Sequence, residues 1–366
     1  MKKTLLISND FPPQDGGVAR YLEGLTAQLP TDKIVALTPP IKGGGKQRLD
    51  YPVYRRRLFW PLWPKWWPMV RQLMKVANRE RAQILWAAQP LPIGTVVLMV
   101  SKFLRLPYIV NTHGMDLAGP LSTRGRKLNV LTRVLKGALK VTYTSQATKK
   151  LVQQFDLPEN KLVQILPCPA KLDQPSEQNI QKVIKKYNLE GKKILLSVGR
   201  LVERKGHDMV IKSLPQVLAK NPDLVYLIVG DGPNKQNLLK LIKDLNLEQN
   251  VVLPGFIPDN ELAAYYGAAR AFIMPAREIV GGDIEGFGVV FLESNSLGLP
   301  VIAGNTGGQT EAVLDGMTGL IVDPYEITDI SQAITKLMFD SALCQKLGEQ
   351  GREHATKFNW ATEAKK

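Results

Sequence analysis

Short runs of β-branched and other apolar residues alternate along this chain with longer segments whose apolar positions recur at helical spacing. In the C-terminal half the runs fall at Ile194–Val198, Leu224–Val229, Val251–Leu253, Ala271–Met274, Val301–Ala303 and Leu320–Val322. Amphipathic stretches separate them at His207–Ala219, Lys235–Leu245, Asn260–Ala269, Gly288–Leu297, Gly308–Leu314 and Ile327–Phe339. Near-continuous apolar strands alternating with helices predict a parallel, doubly wound sheet, because helices then cover both faces of every strand. The N-terminal half repeats the pattern less cleanly, at Thr4–Ser8, Ile34–Leu37, Ile84–Trp86, Tyr108–Asn111, Val141–Thr144 and Val163–Leu166. A Pro-rich polar stretch within residues 167–190, PCPAKLDQPSEQ, predicts the connection. Two Rossmann-like α/β domains are expected, 1–170 and 171–344. Ligands in such sheets bind beyond the carboxyl ends of the strands, here in a cleft between the domains.

Length and composition agree with that organisation. A chain of 366 residues is long for one domain, and 44% hydrophobic with 22% charged content is ordinary for a globular protein. Cys168 and Cys344 form no disulfide framework and no metal spacing, which fits a reducing cytosol. The N-terminal MKKTLLISND imitates a signal peptide, but its apolar run stops at Asp10 without a small-residue cleavage site, so a first strand is expected. Nothing approaches the ~20 apolar residues that span a bilayer. The net charge of +15 is unevenly placed. Residues 1–170 hold 26 Lys/Arg against 9 Asp/Glu, and residues 171–366 hold 22 against 24. That asymmetry points to an anionic partner for the N-terminal half.

The densest chemistry lies in REIVGGDIEGFGVVFLESNSLGLPVIAGNTGG, residues 277–308. Gly286-Phe287-Gly288 opens an apolar helix, whose amino end offers backbone N–H groups and a positive dipole to a diphosphate. Glu285 and Glu293 flank that anion site, where carboxylates suit hydroxyls better than phosphate. Sugar and ribose hydroxyls satisfy both requirements, so the stretch reads as a nucleotide-sugar site. Glu285 and Glu293 could otherwise be surface charges, though Glu293 falls within an apolar helix. Asp283-Ile284-Glu285 resembles an acidic metal motif, but further ligands do not stand near it, and no metal is expected. At the end of the first C-domain strand, VGRLVERKG places Arg200 and Lys205 at two ends of a short loop. A guanidinium and an ammonium there can neutralise a leaving diphosphate.

In the N-terminal half, Gly16-Gly17 after the first strand permits close backbone approach to a phosphate, and equally serves a plain tight turn. It is not a dinucleotide fingerprint. His113 follows a strand in NTHGMD and takes either a cleft role or a structural one. The segment Arg55-Arg56-Arg57-Leu58-Phe59-Trp60-Pro61-Leu62-Trp63-Pro64-Lys65-Trp66-Trp67 joins arginines to four of the six tryptophans. Arg and Trp together suit an anionic headgroup layer, with Met69, Val70, Leu73 and Met74 continuing as an amphipathic helix backed by Arg71, Lys75 and Arg79. Packing on the domain or lining an acceptor groove is the rival reading. No nucleic-acid motif accompanies the charge.

Taken together, SVGRLVERKG, IVGDGP, LPGFIPDNEL, Glu285 and Glu293 at their spacing, and VIAGNTGG resemble the retaining glycosyltransferases of family 4, with the GT-B fold. The GGDIEG spacing brings the chain near phosphatidylinositol mannosyltransferase-like members. The resemblance implies that Gly16 and Gly17 approach the donor phosphate, and that Arg200 and Lys205 hold the diphosphate as it leaves. It implies that Glu285 binds donor-sugar hydroxyls beside the N–H groups of Gly286, Phe287 and Gly288, while Glu293 grips the ribose. It sets the Phe256–Ile257 backbone against the base, with Asp259 as acceptor for guanine N–H groups. His113 would lie beside the reacting sugar and Asp10 towards the acceptor. PCPAKLDQ departs from the family's usual inter-domain turn, and the Trp-rich segment is not a family feature. The tail ending in KFNWATEAKK, within about 345–366, resembles the segment that returns to the N-domain.

The expected activity is a metal-independent, cofactor-free, retaining hexosyl transfer from a nucleoside-diphosphate sugar to a membrane lipid or lipid-linked acceptor. GDP-mannose is favoured as donor, and an anionic membrane surface on the cytoplasmic side of the cell membrane as location. UDP-glucose or UDP-N-acetylglucosamine with a soluble acceptor is the alternative, and a non-catalytic nucleotide-binding module is the reading from another class.

Overall fold

A computed structural model describes residues 1–14, 16–41, 49–61, 65–123 and 125–366. The chain divides into two units, Met1–Cys168 with Asn359–Lys366, and Pro169–Phe358. The first unit carries strands Thr4–Ile7 (β1), Ile34–Thr38 (β2), Val53–Arg55 (β3), Ile84–Ala87 (β4), Tyr108–Asn111 (β5), Lys140–Tyr143 (β6) and Leu162–Gln164 (β7). They form one parallel sheet in the order β3-β2-β1-β4-β5-β6-β7. Side chains alternate across it: Leu5 and Ile7 of β1 enter one core cluster, and Leu6 enters the other. Both faces are covered, which is why these strands read as unbroken apolar runs.

The second unit carries Lys193–Val198 (β8), Leu224–Val229 (β9), Val251–Gly255 (β10), Ala271–Met274 (β11), Val301–Gly304 (β12) and Gly319–Val322 (β13). Its parallel sheet runs β10-β9-β8-β11-β12-β13. Strand order reverses between β1 and β4 in one unit and between β8 and β11 in the other. Helices leave on opposite faces at such a point, so a crevice opens beyond the carboxyl ends of those strands.

Three features differ from the sequence expectation. An unexpected strand, β3, runs into the first residue of the stretch read as a membrane segment, because Val53, Tyr54 and Arg55 pair with Ala36, Leu37 and Thr38 of β2. The expected helix Gly308–Leu314 is a single turn, Gln309–Ala312. The returning tail is also shorter than 345–366. Helix Ser341–Ala355 stays with the second unit, packed so closely that a Cβ on Gly348 would fall 2.1 Å from the Gly298 carbonyl oxygen. Only Asn359–Lys366 returns. There Trp360 lies over Gly24 and meets Tyr21 edge-on at 5.5 Å, while Glu363 accepts a hydrogen bond from the Leu166 amide at 2.8 Å.

Candidate functional site

In the second unit, the chain leaves β8 through Gly199 and Arg200 into a short 3-10 turn, Glu203–Lys205, and then into helix His207–Leu218. Gly206 joins turn to helix at φ +75°, and a Cβ there would lie 2.2 Å from the Pro275 carbonyl oxygen. Both facts demand glycine and press the turn against the loop that follows β11. That loop carries Asp283 and Glu285. Lys205 Nζ stands 2.7 Å from Glu285 Oε2, and Arg204 Nη1 hydrogen-bonds the same oxygen. Arg204 Nε lies 3.1 Å from Asp283 Oδ1, close enough for an ion pair though not aligned as a hydrogen bond. Burial raises the Glu285 carboxyl, but Lys205 and Arg204 outweigh it and hold the group below the ordinary carboxylate range. It is an ionised glutamate inside the protein surface.

Arg277 fixes the turn from behind. Only 8% exposed, it donates to both carboxylate oxygens of Asp208, at 2.9 and 3.1 Å, and reaches Glu203 at 3.5 Å. Its backbone N–H also donates to the Arg204 carbonyl at 2.8 Å. The GNTGG loop after β12 backs Glu285 in turn: the Gly308 amide donates to the Glu285 carbonyl at 2.9 Å. Buried Gln309 staples the two loops, accepting from the amides of Ala276 and Gly304 and donating to the Ala276 carbonyl at 2.8 Å. Sequence reasoning missed Arg204, Arg277 and Gln309. A glutamine beside a glycine pair carries no local signal, and a basic pair in one loop does not say which member turns inward.

The other donor-side candidates have definite places. Helix Val289–Ser296 starts at Gly288, φ +88°, and no side chain among the described residues caps it; the Phe291 amide donates back to the Gly288 carbonyl at 3.0 Å, and the N–H groups before it face the helix's amino end. Phe287 is buried edge-on to Phe358 at 5.7 Å. Glu293 is buried in that helix and accepts from the Tyr266 hydroxyl at 3.2 Å. Phe256 is exposed and Ile257 buried at the end of β10, and Asp259 opens helix Asp259–Ala268 at the surface. Arg200 is exposed on the loop that leads to Lys205. The structure thus brings Lys205 and Glu285 into contact.

In the first unit, Gly16 at φ +146° precedes helix Gly17–Thr26, and a Cβ on either Gly16 or Gly17 would meet no described atom within 4 Å. Asp10, also after β1, accepts from Gln89 Nε2 at 2.9 Å. His113 follows β5 and is held on three sides. Its amide donates to Asp116 at 3.0 Å, its Nε2 lies 3.1 Å from the Ala88 carbonyl, and its ring meets Tyr21 edge-on at 5.2 Å. Burial raises the Asp116 carboxyl, against the opposing pull of His113. All of these residues sit at the carboxyl edge of β1, β4 and β5, where the strand order reverses.

The Arg/Trp segment needs correction. Arg55 ends β3 half-buried, with Nη2 donating to the Pro12 carbonyl and its guanidinium 5.9 Å from the Phe11 ring. Trp66 packs on the core. Helix Trp67–Arg79 buries Met69, Leu73, Val76 and Ala77 in the same core, so its apolar stripe faces the protein and not a bilayer. Val70 and Met74 are partly buried against that core too. What remains outside among the segment's charged and aromatic residues is Arg56, Arg57, Trp60, Lys65, Trp67, Arg71, Lys75 and Arg79. Trp63 lies outside the described residues.

Two family models match the chain: glycosyl transferases group 1 over residues 179–354, and Glycosyltransferase Family 4 over residues 15–173. The chain is 31% identical over 366 residues to a GDP-mannose-dependent alpha-(1-6)-phosphatidylinositol monomannoside mannosyltransferase of Mycolicibacterium smegmatis, covering 97% of this chain and 94% of that protein. It is 30% identical to a GDP-mannose-dependent monoacylated alpha-(1-6)-phosphatidylinositol monomannoside mannosyltransferase of Corynebacterium glutamicum, covering 98% and 95%. Among solved structures, Anabaena HepE in complex with UDP-glucose matches with a TM-score of 0.82 at 20% identity, over 100% of this chain and 98% of that one. At that identity the likeness concerns the fold alone.

Proposed function

The chain belongs to glycosyltransferase family 4, of GT-B fold, and from that premise we propose that it moves mannose from GDP-mannose to a phosphatidylinositol-type or other lipid-linked acceptor. The observation that carries the reading is the Lys205–Glu285–Arg204 cluster at the carboxyl edge of β8 and β11. Arg200 and Lys205 neutralise the diphosphate, and the amino end of helix Val289–Ser296 adds N–H donors to it. Glu285 accepts hydrogen bonds from sugar hydroxyls, and Glu293 serves the ribose. The bond from the anomeric carbon to the diphosphate breaks as a bond to the acceptor hydroxyl forms on the same face. The acceptor's proton passes to the departing phosphate oxygen, so configuration is retained without a metal. The names of the two mannosyltransferase relatives support donor and acceptor class alike.

The same reading puts the protein at the cytoplasmic surface of the cell membrane. Among the described residues no helix is long and apolar enough to cross a bilayer. Trp60 and, on helix Trp67–Arg79, Trp67, Arg71 and Lys75 stand exposed, and the neighbouring helix Ile93–Leu104 exposes Met99 and Phe103. Exposed rings and cations together suit anionic headgroups. To test the activity, purified protein is incubated with GDP-mannose, UDP-glucose or UDP-N-acetylglucosamine and a lipid extract, with mass spectrometry of the lipids. A lipid gaining one hexose from GDP-mannose is expected. The proposal fails if no extract supports nucleotide release and Glu285→Ala changes nothing.

A further inference from the structure

Two cations share one carboxylate oxygen in the second unit, and their surroundings give them different work. Arg204 is held by two carboxylates. Its guanidinium spans Glu285 and Asp283, its side chain is 19% exposed, and its carbonyl accepts the Arg277 amide. Lys205 has one carboxylate partner and a flexible stem that can rotate towards an anion. Asp283 and Glu285, two residues apart after the tight turn closed by Ile279 and Asp283, both face Arg204. One planar fork can therefore serve two carboxylates, which a lysine ammonium cannot do with the same geometry.

We propose that Arg204 is a positioning residue, braced by Asp283 and Arg277, that keeps Glu285 ionised and aimed at the donor sugar while Lys205 turns to the diphosphate. The inference rests on the reading of Lys205 and Glu285 as donor ligands. Without Arg204, a diphosphate that draws Lys205 away strips Glu285 of its counter-charge inside the protein. A buried carboxylate so abandoned takes up a proton or swings towards water. Either outcome removes the acceptor that the sugar hydroxyls need. Arg204 acts on the sugar through Glu285 and does not touch the nucleotide.

The test compares GDP, which lacks the donor hexose, with GDP-mannose. For Arg204→Gln, calorimetry is expected to show GDP affinity falling by up to about tenfold, because Lys205 is then the last counter-charge of Glu285, while KM for GDP-mannose rises further and kcat falls about 10- to 100-fold, the scale of loss from a misplaced catalytic group. Arg204→Lys restores part of kcat. Asp283→Asn, which keeps Arg204 on Glu285, shows the same split at roughly a third of the size in log units. Equal losses for GDP and GDP-mannose in both variants, or unchanged turnover in Arg204→Gln, overturn the proposal. If the parent protein binds neither nucleotide, the donor reading itself falls, and that result is distinct because it appears without any substitution.

Discussion

Replacing Glu285 by Gln removes the charge that Lys205 and Arg204 share and keeps the side chain's size. Activity should fall, but the informative effect is on GDP itself, and its sign is opposite. At 2.7 Å the Lys205–Glu285 attraction amounts to about 6 kcal/mol with an effective dielectric of about 20. Desolvation cancels most of that, and a hydrogen bond to a charged group nets about 1.5–3 kcal/mol. A diphosphate that recruits Lys205 must give up part of this contact, because Glu285 keeps Arg204. Removing the carboxylate should therefore return about 1–2 kcal/mol to GDP binding, a gain of roughly five- to thirtyfold. Loss of a nearby negative charge works in the same direction. GDP-mannose gains less, since its hydroxyls lose their acceptor, and kcat falls by at least about a hundredfold. Isothermal titration with GDP, beside turnover and thermal melts of both proteins, reads all three. Glu285 is held ionised, so the parent's GDP affinity should show no such gain on acidification to about pH 5. A folded Glu285→Gln protein that binds GDP no more tightly than the parent refutes the competition between carboxylate and diphosphate.

Other outcomes follow from the same structure. His207 is buried, with Nδ1 paired to the Tyr226 hydroxyl at 3.1 Å, and burial with the nearby Lys205 charge pushes it down to about 3. Below its ordinary value of 6.5 the unfolded chain takes a proton that the folded chain refuses, so stability is flat above that pH and falls as pH drops, by about 2 kcal/mol at pH 5. His207→Gln should flatten that slope in denaturant titrations at the two pH values, and an unchanged slope contradicts the burial argument. Gly24→Ala would ordinarily stabilise a helix by about 0.5–1 kcal/mol, but here the Cβ falls 2.2 Å from the Trp360 indole. Displacing that ring should leave a net loss of about 1–2 kcal/mol, seen as a lower unfolding midpoint, whereas a raised midpoint shows the tail is not seated there. Trp60→Ala with Trp67→Ala, Arg71→Gln and Lys75→Gln should cut flotation with anionic vesicles at least thirtyfold, from about 1 kcal/mol per basic residue before the rings are counted. Equal flotation removes this face from the membrane reading.

What the sequence reveals and withholds follows from the range of each interaction. β9 was legible because its six residues are all buried and the run is apolar throughout, a property of the residues themselves. β3 was not, since three half-buried residues become a strand only through pairing with β2, and no local pattern reports a partner. The helix Trp67–Arg79 shows the limit more sharply. Helical spacing suggested an apolar stripe on Met69, Val70, Leu73 and Met74, but spacing says nothing of what covers a stripe, and the domain core competes with a bilayer for it on equal physical terms. The core won, leaving the basic face outward. At the candidate site the limit is distance. Lys205 was legible as chemistry at a strand end and Glu285 beside a helix start, yet Arg204 meets Glu285 across 81 residues of chain. In VERKG either cation suits a phosphate. Only the fold, by setting Asp283 and Glu285 together against the guanidinium, separates the cation that is already satisfied from the one that can still move.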